Sequence, residues 1–145
     1  MSWFETMQAI QTVVETALAA AIAAETIDDG PVVVIMPGDS AWDQCERVTI
    51  FLGNVEFTQR ACSVKPLAEY RVRMNVCIPG DPKTKAATWE TEAKNLYDLA
   101  EIVLGAVTSN LAALFGDCET ATVLPLLSLQ PSGGQAGVEF GVRTS

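Results

Sequence analysis

Between residues 67 and 78 the chain alternates without a break. Ala68, Tyr70, Val72, Met74, Val76 and Ile78 take every second place, and Glu69, Arg71, Arg73, Asn75 and Cys77 fill the places between. Successive side chains of a strand point to opposite faces, so a period of two over this length predicts a half-buried antiparallel strand. Pro79-Gly80 ends it. Such a strand needs neighbours on both edges and a second layer over its apolar face. The remaining sequence supplies both.

Two helices are predicted. Ser2 and Glu5 have the spacing of a capping box, in which each side chain satisfies a backbone N–H of the other's residue. Behind them Met7, Ile10, Val14, Ala17 and Ala21 recur at steps of three and four, one face of a helix over about residues 3–25. Asp28-Asp29-Gly30-Pro31 stops it. Asp81-Pro82 reads as the start of a second helix. Trp89, Ala93, Leu96, Ala100, Val103, Val107, Leu111 and Leu114 form one sustained stripe over about residues 84–115. A helix of that span is about 48 Å long, so a kink near Gly105 or an overhang toward a neighbour is expected.

The other strands are shorter signals. Val32–Met36 is a β-branched run closed by Pro37-Gly38, and residues 37–45 read as a loop. In the segment from Arg47 to Arg60, Val48, Ile50 and Leu52 share one face, and Val55 and Phe57 follow across Gly53-Asn54. That dipeptide fits either a hairpin turn or a bulge. Thr122 to Gln130 contains Pro125, which places it at an edge. Val138, Phe140 and Val142 form the last strand, after a turn at Pro131-Ser132-Gly133-Gly134. The sum is one α+β domain, residues 1–145. It has a mostly antiparallel sheet flanked by an N-terminal helix and a long second helix, with a C-terminal β-hairpin.

Composition narrows the function. The 145 residues are 49% hydrophobic and 19% charged, a globular balance. No apolar run approaches the roughly 20 residues of a membrane helix, and no basic residue precedes an apolar stretch at the N-terminus as in a signal peptide. The expected compartment of synthesis is the cytoplasm. Net charge is −9, which repels phosphate backbones. Cys45, Cys62, Cys77 and Cys118 contain no CxxC pair, so zinc is not expected and small buried thiols are the default. A disulfide between two of them stays open.

Chemistry is hard to find. The chain has no histidine, which excludes Ser-His-Asp and Cys-His arrangements. Asp28 and Asp29 are adjacent but sit in a turn cluster. Glu90, Lys94, Asp98 and Glu101 belong to a solvated helix face, with Glu90 and Lys94 as an i,i+4 pair. Gly133, Gly134 and Gly137 do not match a phosphate-binding loop. The reading is of a protein without catalytic residues, metal or cofactor. Aromatic residues are the other candidates. Trp42, in a loop beside Asp39 and Asp43, either tucks into the core edge or is presented to a partner, and Trp3 and Phe4 face the same choice.

The stretch Pro37-Gly38-Asp39-Ser40-Ala41-Trp42-Asp43-Gln44-Cys45 resembles that of small neck proteins of tailed actinobacterial phages. Arg71-Val72-Arg73-Met74-Asn75-Val76-Cys77-Ile78-Pro79 and the Pro131–Gly134 turn are similar at the level of pattern. Here Glu46-Arg47 follow the motif where relatives often carry a second cysteine and a glycine pair, so no cysteine pairing is carried over. The element order is similar to that of tail terminators. The resemblance implies a virion protein of the tail and neck, a homo-oligomeric ring of about six copies. It would cap the tail-tube protein and meet a head connector or stopper protein, with DNA passing through without specific binding and no membrane involved. The contacts expected on this view are Trp42, Asp43, Pro131, Gly133 and Gly134, in loop 37–46 and hairpin tip 130–137. Glu5, Glu15 and Asp28 are expected to line an acidic lumen. Another neck ring or the tail-tube subunit is the nearest alternative, with a small ligand-binding module or a dimeric regulator further off.

Overall fold

A computed structural model of the chain describes residues 2–27, 31–38, 47–60, 63–77, 86–115, 121–126 and 135–144. Its elements are α1 (Trp3–Ala23), β1 (Val32–Ile35), β2 (Arg47–Arg60), β3 (Ser63–Cys77), α2 (Ala86–Ser109), α3 (Leu111–Phe115), β4 (Ala121–Leu126) and β5 (Gln135–Thr144). The strands form one sheet in the order β1-β2-β3-β5-β4. β1 runs parallel to β2, and the remaining pairings are antiparallel. This is the α+β fold expected from the sequence, with β4 and its Pro125 at an edge.

The alternation of β3 organises the sheet. Register aligns Ile50, Val72 and Phe140 in one cross-strand row and Val48, Met74 and Val138 in the next. These rows are buried in a single core with Ile10, Val14 and Leu18 of α1 and Leu96, Leu99, Val103 and Val107 of α2. Each such side chain contributes roughly 1.5–3 kcal/mol on burial. Both helices therefore cover one face of the sheet.

Local chemistry sets the helix ends. Ser2 and Glu5 form the capping box: Ser2 N–H donates to Glu5 Oε2 at 2.8 Å, and Glu5 N–H donates to Ser2 Oγ at 3.2 Å. Hydrogen bonding to Ser2, from its backbone first and its hydroxyl second, holds the Glu5 carboxyl below its ordinary value. The other end of α1 closes two residues earlier than the sequence predicts. Glu25 N–H donates to the Ile22 carbonyl and Thr26 N–H to the Ala21 carbonyl, both at 3.0 Å, which is a Schellman cap. The cap requires a left-handed residue, and Glu25 takes φ 58° there.

The second helix is also shorter. α2 ends at Ser109 and α3 restarts at Leu111. The break falls at Asn110 and not at Gly105. Asn110 Nδ2 donates to the Ala106 carbonyl at 2.7 Å, and its own carbonyl accepts from Leu114 N–H at 2.9 Å. An asparagine side chain competing for backbone partners is a sufficient local cause.

Gly53-Asn54 makes a bulge in one 14-residue strand. Leu52 pairs with Tyr70 but Val55 with Ala68, so β2 carries one extra residue between them. The extra residue resets the alternation and keeps Val55 opposite the buried Ala68. Beyond it the two strands continue past the sheet. β1 reaches only residues 47–50 of β2, and β5 reaches only residues 68–77 of β3. Residues 55–60 pair with residues 63–68, and among the described residues neither 55–60 nor 63–67 pairs with a third strand. They form a ribbon about 20 Å long.

Glycine tolerates the left-handed conformation that costs other residues about 1–2 kcal/mol. After the extra flexibility of its unfolded chain is deducted, Glu25→Gly is expected to raise stability by roughly 0.5–1 kcal/mol. Urea unfolding checks this, through a higher midpoint at unchanged slope.

Candidate interaction surfaces

The face of the sheet opposite the helices is built from charge. Its rows are Thr49–Arg73–Glu139, Phe51–Arg71–Gly141 and the pair Glu69–Arg143. The alternation implies a solvated polar face, yet Glu69 and Glu139 are only 6% and 4% exposed. Pairing explains their burial. Arg71 Nη1 donates to Glu139 Oε1 at 2.9 Å, and Arg73 Nε donates to Glu139 Oε2 at 2.8 Å. Arg71 Nε also donates to Glu69 Oε1 at 3.1 Å. Arg143 lies 3.6 Å from Glu69 and 3.7 Å from Glu56, and Arg73 stacks over the Phe51 ring, 5.4 Å from its centroid. Burial opposes the charge of Arg71, but its bonds and attraction to Glu139 and Glu69 outweigh that cost and raise its pKa.

Two glycines make room for this layer. A Cβ at Gly53 would stand 2.9 Å from Arg71 Nε, and one at Gly141 would stand 2.8 Å from Glu69 Oε1. The three arginines and Glu56, Glu69 and Glu139 balance in sign and satisfy one another. The layer reads as a register lock between β3 and β5.

The helical layer presents a different surface. Trp3 and Phe4, at the start of α1, are 41% and 55% exposed. Trp89 and Tyr97, in the first half of α2, are 38% and 42% exposed. The stripe predicted for α2 thus changes role along its length. Leu96, Val103 and Val107 are buried, while Trp89 and Ala93 are exposed. Thr26 and Ile27, just past α1, share a cleft of about 250 Å³ with Lys94, Leu99 and Val76. α1 also packs on α3. The helices are therefore antiparallel, and the two aromatic pairs lie at opposite ends of the layer.

The cleft itself has little chemistry. Lys94 points to Asp98 at 2.7 Å, not to Glu90, and that bond raises its pKa. Among the described residues no group of His, Cys, Asp and Glu could hold a metal ion, and no helix is long and apolar enough to cross a membrane.

Glu5 and Glu15 are both exposed on the side of α1 turned away from its buried stripe, with Glu5 engaged in the cap. Asp28, Trp42, Asp43, Pro131, Gly133 and Gly134 lie outside the described residues. Sequence reasoning missed the ribbon and the exposure of Trp89 and Tyr97. Pro66, inside the first part of β3, was the available signal that this part of the strand lacks a full set of neighbours.

If Glu139 locks β3 to β5, Glu139→Gln removes the carboxylate that Arg71 and Arg73 share. The expected loss is about 2 kcal/mol, below the roughly 3–5 kcal/mol of a fully buried pair because both arginines keep some solvent. Urea denaturation measures it, and an unchanged midpoint would show that the layer contributes nothing to stability.

Comparison with known proteins finds no family model that matches the chain and no matching curated protein.

Proposed function

We propose that this chain is a structural subunit of a phage neck, a tail terminator whose copies close into a ring of about six. The ring caps the tail-tube protein, offers its other face to a head connector or stopper protein, and lets DNA slide through a lumen kept free of binding by negative charge. The observation that carries the reading is the placement of large apolar side chains. Trp3 and Phe4 at one end of the helical layer, and Trp89 and Tyr97 at the other, are surfaces that a neighbouring protein would cover. The motif from Pro37 to Cys45 and the order of elements support the same reading. So does a chain of net charge −9 with no histidine. The solvent-facing Glu5 and Glu15 suit an acidic lumen.

A second reading, the tail-tube subunit itself, is favoured by one observation. The strands hold about as many residues as the helices, and β2 and β3 run past their own sheet.

Electron microscopy of the purified protein mixed with tail tubes separates the two. Rings seated at tube ends are the expected result. Incorporation along growing tubes would favour the tube subunit, and tubes left bare would overturn both.

A further inference from the structure

An edge strand presents a row of backbone N–H and C=O groups to which another strand can add. β1 and β4 are the edges of this sheet. β4 carries Pro125, which has no N–H to offer. β1 is the more vulnerable by composition. Val32-Val33-Val34-Ile35-Met36 is apolar, mostly β-branched and without charge, and Val32 is 57% exposed. Its backbone directions follow from its bonds. Met36 N–H donates to the Ile50 carbonyl of β2 at 2.9 Å. Backbone groups alternate in direction along a strand, so Val34 also faces β2, while Val33 and Ile35 turn their N–H and C=O outward. Among the described residues no strand meets them. One of these outward groups is nevertheless occupied. Gln11 of α1 is half-buried, and its Nε2 donates to the Val33 carbonyl at 3.2 Å.

We propose that Gln11 is an edge guard, whose amide on the Val33 carbonyl keeps β1 from pairing with β1 of a second copy. A second copy is the partner because this edge is complementary to itself. Antiparallel pairing about a twofold axis at Val34 sets Val33 of one copy opposite Ile35 of the other, and Ile35 opposite Val33. Each such pair exchanges N–H···O=C bonds in both directions, and one acceptor in each exchange is the Val33 carbonyl. Gln11 already holds that carbonyl and sets its side chain on the outward side, where the incoming strand would lie. Pairing would therefore forfeit a bond in each exchange or displace the amide. Few other bonds are on offer. Pro31 and Pro37 flank the strand and carry no N–H, so the exchange between Val33 and Ile35 is the core of any such ladder. A single side-chain bond to one carbonyl is enough to close so short an edge.

Disulfide trapping at position 34 tests the guard, because the two copies of that residue would face each other in a close, non-hydrogen-bonded pair. Val34→Cys is made alone and together with Gln11→Leu or Gln11→Lys. The chains are mildly oxidised, and mass spectrometry reads the bond between position 34 of one copy and position 34 of another. Gln11→Leu removes the donor and keeps helix propensity, so thermal unfolding is expected to stay unchanged. It should raise the yield about tenfold, as each copy regains a free acceptor. Gln11→Lys keeps a donor for the carbonyl and should stay at the level of Val34→Cys alone. No rise with Gln11→Leu, an equal rise with Gln11→Lys, or a high yield with Gln11 in place would overturn the guard. Amide exchange on the unaltered chain is the second measurement, and it needs no variant to fold. Fast exchange at Ile35 beside slow exchange at Val34 is the expected result. Slow exchange at Ile35 would show an edge already paired and no role for Gln11 in keeping it free.

Discussion

The structure depends on the pairing of β3 along both of its edges. Residues 68–75 face β2 on one side and β5 on the other. Through this segment every cross-strand row is set at once. The even-numbered residues meet the helices and carry the core. The odd-numbered ones meet charged partners on the neighbouring strand. A slip of one residue would place Glu69, Arg71 and Arg73 in the core and Tyr70, Val72 and Met74 outside it, which makes the register strongly specified. The ion pairs add a second condition, because Glu139 accepts from both Arg71 and Arg73 only at one alignment of β3 with β5.

Much of this was legible in the residues because it follows from periodicity. The β3 alternation, the α1 stripe, the capping box and the edge position of the Pro125 strand are local signals, and each has the form the sequence predicts. The rest depended on neighbours. That Glu69 and Glu139 are buried follows from cross-strand pairing, which alternation along one strand does not encode. Gly53-Asn54 fits a turn or a bulge by local preference alone. The bulge is settled by parity, since only one extra residue brings Val55 opposite Ala68. Trp89 has the right spacing for the buried stripe of α2, but spacing does not say where the sheet beneath the helix ends. Of the candidate site residues, Glu5 and Glu15 are exposed, and Asp28 with the loop and hairpin-tip residues lies outside the described segments.

The surfaces follow from the same economy of pairing. Where β3 has two neighbours and a helical layer, the charges are matched and the apolar residues buried. Where β3 loses β5 as a neighbour, the ribbon begins.

The central claim is that β3 is stable where both of its edges are paired and weaker where only one is. Amide hydrogen exchange on the isolated chain tests this most directly. The account predicts slow exchange over residues 68–75 and fast exchange over residues 55–60 and 63–67. Equal protection along the whole of β3 in the free chain would contradict it.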